Sequence, residues 1–121
     1  MTPPLDHLAL AVSDQERSRR FYEIYFGFDA HPPRRYDDDV LMLYNAQGFA
    51  LALGPTDEPI PLPRFLHFGF SASSPEEVRA FRERLVGDGV ELAEEWEEAE
   101  YVSVKCRDPD GYVVEFSWEP G

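Results

Sequence analysis

The sequence is poor in the features that mark secreted, membrane-bound and nucleic-acid-binding proteins. It contains one cysteine, Cys106, so no disulfide can form within the chain, and this favours the reducing cytoplasm. No apolar run approaches the 18 or so residues that a membrane span requires, and we expect no secretory signal at the N-terminus. Only 11 lysines and arginines stand against 24 acidic residues, and the net charge of -13 argues against nucleic acid and anionic membranes as partners.

The residues that are present predict one folded domain. Of the 121 residues, 43% are hydrophobic and 14% are aromatic, which is typical of a packed globule rather than a disordered chain. The excess of acidic residues suits either a solvated surface or a cationic ligand. The glutamates around Trp96 are expected to form a solvated strand edge that discourages pairing with another sheet; they are Glu94, Glu95, Glu97 and Glu98.

The strongest organisational feature is an internal repeat. A shift of 60 residues places His7 on His67 and gives seven identities within the 21 positions from His7 to Gly27. Further along the chain, a shift of 63 residues aligns the segments 48–53 and 111–116. The extra three residues are expected in the turns between strands. The chain is therefore predicted to contain two similar modules.

Each half is predicted to fold as a βαβββ module. Ser13 and Ser74 have the sequence context of helix N-caps, and Gly27 and Gly87 are placed to end the two helices. Module 1 is expected at about 1–54, a proline-rich linker at about 55–64 and module 2 at about 65–121, together forming a single α+β domain with cupped mixed sheets. The predicted strands are 5–12, 28–36, 39–45, 48–54, 65–70, 89–97, 100–106 and 111–118.

Three metal-ligating side chains fall on corresponding faces of the predicted strands. Because side chains alternate along a strand, His7, His67 and Glu115 each lie opposite a row of large apolar residues. Two imidazoles and one carboxylate match the facial triad that binds a divalent metal and leaves up to three coordination sites open. Fe(II), Mn(II), Zn(II) and Ni(II) all suit this ligand set. We therefore predict a metal site at these three residues.

Other residues share the face of the predicted site. Lys105, the single lysine, is a candidate catalytic base or an anchor for a substrate carboxylate, and the ordinary alternative is a rim lysine with its amine in water. Cys106 is predicted to face the helices and to be structural. The candidates for substrate binding are Met42, Tyr44, Tyr101, Ser103 and, at the mouth of the site, Arg35.

Four segments are distinctive: Leu5–Val12, Arg20–Tyr22 with Phe26–Phe28, Leu66–Phe70 and Asp108–Phe116. They resemble segments of the vicinal oxygen chelate superfamily, which includes glyoxalase I, extradiol dioxygenases, fosfomycin-resistance transferases, methylmalonyl-CoA epimerase and bleomycin-resistance proteins. The last segment is the most specific, because the family's final metal-binding glutamate lies in such a segment. The resemblance implies a glyoxalase-like fold of paired βαβββ modules and a homodimer, with the site completed across the dimer in some members.

The resemblance also separates the reactions of the family. Glyoxalase I and the epimerase use a fourth protein ligand on the repeat partner of the Glu115 strand, where this chain has Ala52. A three-ligand site is therefore implied, as in the dioxygenases and the fosfomycin transferases. The chain departs from both patterns, because Ala9 stands where the transferases have threonine and Lys105 stands where the dioxygenases have an acid–base tyrosine.

Two main functions follow from these observations. The first is a metalloenzyme, whether dioxygenase, lyase or transferase, that chelates a small oxygenated substrate on the triad. The alternative is a metal-free protein of the bleomycin-resistance kind that sequesters a small cationic drug. The net charge of -13 favours the binder, whereas the intact triad favours the enzyme. A third interpretation is a family member that has lost its activity and only dimerises.

Overall fold

The computed structural model describes residues 2–35 and 39–121, and at 30–35 it describes the backbone alone. The chain forms two compact units, Met1–Pro61 and Leu62–Gly121, each of which contains one half of the repeat. These units are called module 1 and module 2 below. The predicted proline-rich linker is divided between them.

Both modules contain the elements that the sequence predicted, with ends displaced by up to three residues. The α+β class with two βαβββ modules is therefore confirmed. Module 1 consists of β1 (His7–Val12), α1 (Gln15–Phe26), β2 (Asp29–Arg35), β3 (Leu41–Tyr44) and β4 (Ala50–Pro55). Module 2 consists of β5 (His67–Ser71), α2 (Pro75–Gly87), β6 (Leu92–Glu98), β7 (Tyr101–Arg107) and β8 (Val113–Trp118).

The two sheets have the same topology. The strand order is β1-β4-β3-β2 in module 1 and β5-β8-β7-β6 in module 2. In each sheet the first strand pairs with the last in parallel and the other pairs are antiparallel, so both sheets are mixed. Ala9 pairs with Ala52 in module 1, and Gly69 pairs with Glu115 in module 2. The register thus makes Ala52 the counterpart of Glu115.

The turns before β4 and β8 explain why this part of the repeat needs a shift of 63 residues. The side chains of Asn45 and Asp108 each accept hydrogen bonds from the backbone N–H groups two and four residues later, at 2.9 to 3.1 Å. The third residue after each is a glycine with positive φ, 84° at Gly48 and 94° at Gly111. Glycine adopts this conformation without the steric cost that a Cβ brings. These turns start the strands that carry Ala52 and Glu115.

The helix N-termini differ in how closely they follow the prediction. Ser74 is the N-cap of α2 as predicted, since its Oγ accepts from the backbone N–H of Glu77 at 3.2 Å. In module 1 the predicted N-cap Ser13 is wrong by one residue. Asp14 is the N-cap, because its carboxylate accepts from the backbone N–H of Arg17 at 3.1 Å.

The helix C-termini show a similar small difference. Gly27 ends α1 as predicted, in a left-handed conformation with φ 70°. Gly87 is the last residue of α2, but it does not supply the left-handed turn. Asp88 caps this helix, and Gly89 has the positive φ of 74°.

Each sheet buries one face and leaves the other for polar residues. In module 1 Leu10 and Val12 are buried, whereas His7 is exposed, as the alternation predicted. In module 2 α2 packs against β7 and β8, and the ring centroids of Phe81 and Phe116 are 4.8 Å apart. No helix within residues 2–35 and 39–121 is long and apolar enough to cross a membrane.

Candidate metal site and adjoining pocket

His67 and Glu115 meet on the sheet of module 2. Their strands, β5 and β8, are parallel neighbours in which Gly69 pairs with Glu115. His67 lies two residues before Gly69 and therefore on the same face. As a result, Nε2 of His67 is 3.6 Å from Oε1 of Glu115. Two of the three predicted metal ligands are thus adjacent.

Glu115 is held in place by two hydroxyl groups from β7. Tyr101 and Ser103 both donate hydrogen bonds to its Oε2. Ser103 is only 2% exposed, and burial together with the bond to Glu115 raises the pKa of Tyr101, so both hydroxyls remain donors. These contacts leave Oε1 as the oxygen near His67. The substrate contacts predicted for Tyr101 and Ser103 stay predictions, because the structure assigns their hydroxyls to the carboxylate.

The predicted histidine ligands share one tautomer. Nδ1 of His67 is 2.9 Å from the backbone oxygen of Phe65, and Nδ1 of His7 is 2.7 Å from Oδ1 of Asp6. A carbonyl and a carboxylate only accept hydrogen bonds, so Nδ1 carries the proton in each contact. In the neutral ring the lone pair is then on Nε2. Both histidines are therefore prepared to bind a cation through Nε2.

Phe65 supports His67 through an unusual backbone conformation. Its φ of 75° lies in the left-handed region, which costs a residue with a Cβ about 1–2 kcal/mol. Its carbonyl accepts the hydrogen bond from His67, and its ring centroid is 5.4 Å from the imidazole centroid. The side chain itself is 84% exposed. Such strain is retained where the surroundings over-determine it, often at functional sites.

His7 lies in module 1, where its side chain is 66% exposed. The register aligns His7 with Ala50 and Ala50 with Tyr44, and it aligns Met42 with Ala52. Met42 and Tyr44 therefore share the face of His7, as the alternation predicted. That they contact a substrate stays a prediction.

Module 2 alone does not complete a triad. Among its residues, all of which the structure describes, no third histidine, cysteine, aspartate or glutamate forms a metal-binding group with His67 and Glu115. The predicted third ligand, His7, belongs to module 1. A complete triad therefore requires module 1 of this chain or of a second subunit.

Gly69 provides the space that Glu115 occupies. A Cβ built on Gly69 would lie 3.1 Å from both the Cβ and the backbone oxygen of Glu115. Paired residues in a sheet normally keep their Cβ atoms about 4.5–5.5 Å apart. Any side chain at position 69 would therefore displace the carboxylate.

Lys105 is the centre of a small polar network beside this pair. Its Nζ donates to Oε1 of Glu94 at 2.9 Å, and the same oxygen accepts from the indole N–H of Trp96 at 2.9 Å. Nζ also lies 5.7 Å from the centroid of the Phe65 ring. Burial by itself lowers the pKa of Lys105, but the hydrogen bond and charge of Glu94 outweigh it, so the pKa is raised. The same bond lowers the pKa of Glu94, and the pair is ionic.

A pocket of about 380 Å³ opens beside His67. It is formed by the segment that precedes β5 and by β6, β7 and β8. Its charged lining residues are Arg64, Lys105, Arg107 and Glu94, and its large apolar ones are Leu62, Phe65 and Leu66. The pocket is thus mostly basic and apolar, although the chain has a net charge of -13.

Some residues of this region left little signal in the sequence, and one predicted residue cannot be compared. The carbonyl of Phe65 left no signal, because only the folded backbone brings it to His67. Glu94 was expected only as a solvated edge, yet it holds Lys105. Gly69 was detectable as a small residue two positions after His67. The side chain of Arg35, predicted at the mouth, lies outside the described residues.

Cys106 is buried, as predicted for a structural residue, and burial raises the pKa of its thiol to about 12. The thiolate is the reactive form of cysteine. We therefore expect the native protein to react with an aromatic disulfide reagent at least about 100-fold more slowly than the urea-unfolded protein at about pH 8. Equal rates in a stopped-flow measurement would contradict the burial of Cys106.

Comparison with known proteins gives consistent matches over nearly the whole chain. A family model described as the Glyoxalase/Bleomycin resistance protein/Dioxygenase superfamily matches residues 4–116. An uncharacterized protein of Pseudomonas aeruginosa is 32% identical over 126 residues, which cover 98% of this chain and 90% of that protein. A protein of Bacillus subtilis, named as a probable trivalent organoarsenical cleaving enzyme, is 32% identical over 114 residues, which cover 91% of this chain and 76% of that protein.

A solved structure shows the same fold. The fosfomycin resistance protein FosX from Listeria monocytogenes superposes with a TM-score of 0.80 at 23% identity, over 99% of this chain and 96% of that one. The region matched by the family model includes both modules and the residues His7, His67 and Glu115. The chain therefore belongs to the glyoxalase, bleomycin resistance protein and dioxygenase superfamily, as its motifs indicated.

Proposed function

We propose that this protein is a divalent-metal-dependent enzyme that binds a small oxygenated substrate at a site formed by His7, His67 and Glu115. The observation that carries the proposal is the pairing of His67 with Glu115, whose Nε2 and Oε1 atoms are 3.6 Å apart. Each side chain is oriented by other contacts, so that one potential ligand atom of each lies near the other.

The distance between these two atoms fits a shared metal ion. Nitrogen and oxygen ligands bind Zn(II) and similar ions at about 2.1 Å. Two such atoms, seen from the ion at angles of about 90° to 120°, are about 3.0 to 3.6 Å apart. The observed 3.6 Å between His67 and Glu115 lies at the upper end of this interval. The pair can therefore accept a divalent ion with little movement.

The surroundings of both histidines fit the same chemistry. Histidines that bind metals nearly always donate their second N–H to a carboxylate or a carbonyl, which sets the tautomer and orients the ring. His7 makes such a contact with Asp6, and His67 makes one with Phe65. A histidine that is merely a surface or core residue has no need of this arrangement twice, at equivalent positions of the repeat.

A divalent metal at these residues supplies a Lewis acid for two vicinal oxygens of a substrate and stabilises negative charge that develops on them. The residues of the chain have separate tasks. Tyr101 and Ser103 hold Glu115 so that its orientation survives substrate binding. Ala52, the counterpart of Glu115 in module 1, offers no ligand atom, so positions remain open for the substrate.

Two relatives bear on the choice of metal and substrate. FosX has been crystallised with Mn(II) and 1S,2S-dihydroxypropylphosphonic acid, and Mn(II) is accordingly among the ions to test. The name of the Bacillus subtilis relative refers to trivalent organoarsenicals. Soft centres prefer thiolate ligands. The single thiol of this chain, Cys106, is buried and protonated, so we do not extend that substrate to it.

The alternative function, a metal-free protein that sequesters a cationic drug, draws on the net charge of -13. The pocket beside His67 has the opposite character. Its basic lining residues, Arg64, Lys105 and Arg107, outnumber the acidic one, Glu94. A cationic ligand would therefore be repelled at the pocket that adjoins the proposed ligands, and the enzyme is the better supported function.

Metal analysis tests the proposal directly. The full-length protein is purified without chelators and without a histidine tag, and its metal content is measured by plasma mass spectrometry. We expect about one equivalent of metal per chain, or loading to that level with Fe(II), Mn(II), Zn(II) or Ni(II). A chain that none of these ions can load would contradict the proposal. Calorimetric heats with a cationic glycopeptide in that metal-free protein would favour the alternative.

A further inference from the structure

The pocket beside His67 has a size suited to a small molecule. Its volume of about 380 Å³ lies within the range of small-molecule sites, which is about 300–1,000 Å³. All its lining residues belong to module 2. It therefore exists without any contribution from module 1.

One part of the pocket is positively charged. The Lys105 side chain is 15% exposed, and its ammonium group has three N–H donors, one of which bonds to Glu94. Arg107 contributes charge, although its guanidinium donates to Glu91 at 2.7 Å and to the backbone oxygen of Gly111 at 3.1 Å. Basic residues are scarce in this chain, so their presence in one pocket is informative.

The other part of the pocket is apolar and open to solvent. Phe65 is almost fully exposed, and Leu62 and Leu66 are about half-exposed. The Phe65 ring lies between the two functional groups, since it contacts the imidazole of His67 and the ammonium of Lys105. Large apolar side chains exposed together at a concave site are typical of ligand-binding surfaces.

We propose that this pocket binds the oxyanion group of a small organic acid, with Lys105 as the anchor and the carbon skeleton along Phe65 and Leu66. The acid takes the free donors of the Lys105 ammonium. Glu94 competes with it, because this half-exposed carboxylate already neutralises part of the charge. The ligand class is thus a carboxylate or phosphonate that carries an apolar group.

The position of Lys105 connects this pocket to the proposed metal site. Lys105 pairs with Glu115 in the register of β7 and β8, and His67 lines the pocket. An acid held at Lys105 therefore has its neighbouring oxygens near His67 and Glu115. That the bound acid is also the substrate rests on the function proposed above, whereas its binding to Lys105 does not require a metal.

Four phenyl compounds test the charge preference of the pocket. Benzoate, phenylphosphonate, benzyl alcohol and benzylamine are titrated into the full-length protein in the presence of a chelator, by calorimetry and by tryptophan fluorescence. Trp96 is a reporter, because its indole N–H bonds to the carboxylate of Glu94. We expect one or both acids to bind at least about tenfold more tightly than the alcohol and the amine. Equal affinity for all four compounds would overturn the proposal.

Substitutions test the anchoring role. Lys105→Met is expected to weaken binding of the better acid by at least about tenfold, and Glu94→Gln to strengthen it about threefold. Lys105→Arg, which keeps the charge, should retain most of the affinity. Arg79→Gln is the matched control, because Arg79 also pairs with a glutamate of β6, Glu97, and does not line the pocket. We expect a change of less than about twofold in this control.

The outcomes separate this inference from the proposed function. Equal losses in Lys105→Met and Arg79→Gln, or in Lys105→Met and Lys105→Arg, would show that Lys105 is not a specific anchor. Acid binding in a chain that no metal can load would leave the inference standing and would contradict the proposed function. Metal loading without acid binding would do the reverse.

Discussion

Replacement of His67 by alanine, or of Glu115 by glutamine, is expected to abolish stoichiometric metal binding. Loss of an outer partner of a metal ligand already lowers affinity by about 10–100-fold, so loss of a ligand itself should exceed that range. The two side chains contribute Nε2 and Oε1, which are 3.6 Å apart. Competition with a fluorescent chelator measures the affinity, and circular dichroism verifies that each variant is folded.

His31→Ala is the matched control for the metal experiment. It removes the third histidine of the chain, which is not among the predicted ligands, and it should leave the affinity within about twofold. His7→Ala should lose affinity as His67→Ala does. If His67→Ala bound metal as tightly as the wild type, the site would not be at this pair. If His7→Ala alone retained the metal, the third ligand would be another group.

Replacement of Leu85 by alanine is expected to lower the free energy of unfolding by about 2–5 kcal/mol. Leu85 is fully buried on α2, at 0% exposure, and this helix packs against β7 and β8. The truncated side chain leaves a cavity that the surrounding residues fill only in part. Because β7 and β8 carry Ser103 and Glu115, the packing of α2 also supports the candidate site.

Val86→Ala is the matched control for the stability experiment. Val86 is adjacent to Leu85 on the same helix but is 49% exposed, so its truncation should change the free energy of unfolding by about 0.5 kcal/mol or less. Urea denaturation followed by circular dichroism measures both variants. Comparable effects of the two substitutions would mean that α2 does not pack through Leu85.

The proposed metal ligands and the proposed acid-binding pocket make different demands on the same sheet. Glu115 needs neighbours that hold a negative charge in place, and the hydroxyls of Tyr101 and Ser103 meet this need. Lys105 needs a partner that keeps it protonated, and Glu94 meets that one. Alternate residues of β7 supply both groups on one face. A single strand can therefore serve the metal and an acidic substrate together.

Local features of this protein were predictable because they depend on residues close together in the chain. The alternation of side chains along each strand was enough to place His7, His67 and Glu115 opposite the buried rows. The repeat predicted the two βαβββ modules and the correspondence of Ala52 with Glu115, which the strand register confirms. Neighbouring polar groups compete for helix ends, so the cap at Ser13 was wrong by one residue.

The contacts that orient the candidate site were decided only by the tertiary structure. Tyr101 and Ser103 reach Glu115 because β7 and β8 pair in one particular register, and a sequence pattern does not specify a register between strands. The carbonyl of Phe65 meets His67 through a left-handed backbone that no residue preference predicts. The sequence by itself determined which residues share a face, because alternation is local. The tertiary structure decided which of their atoms are held, because that depends on partners from distant strands.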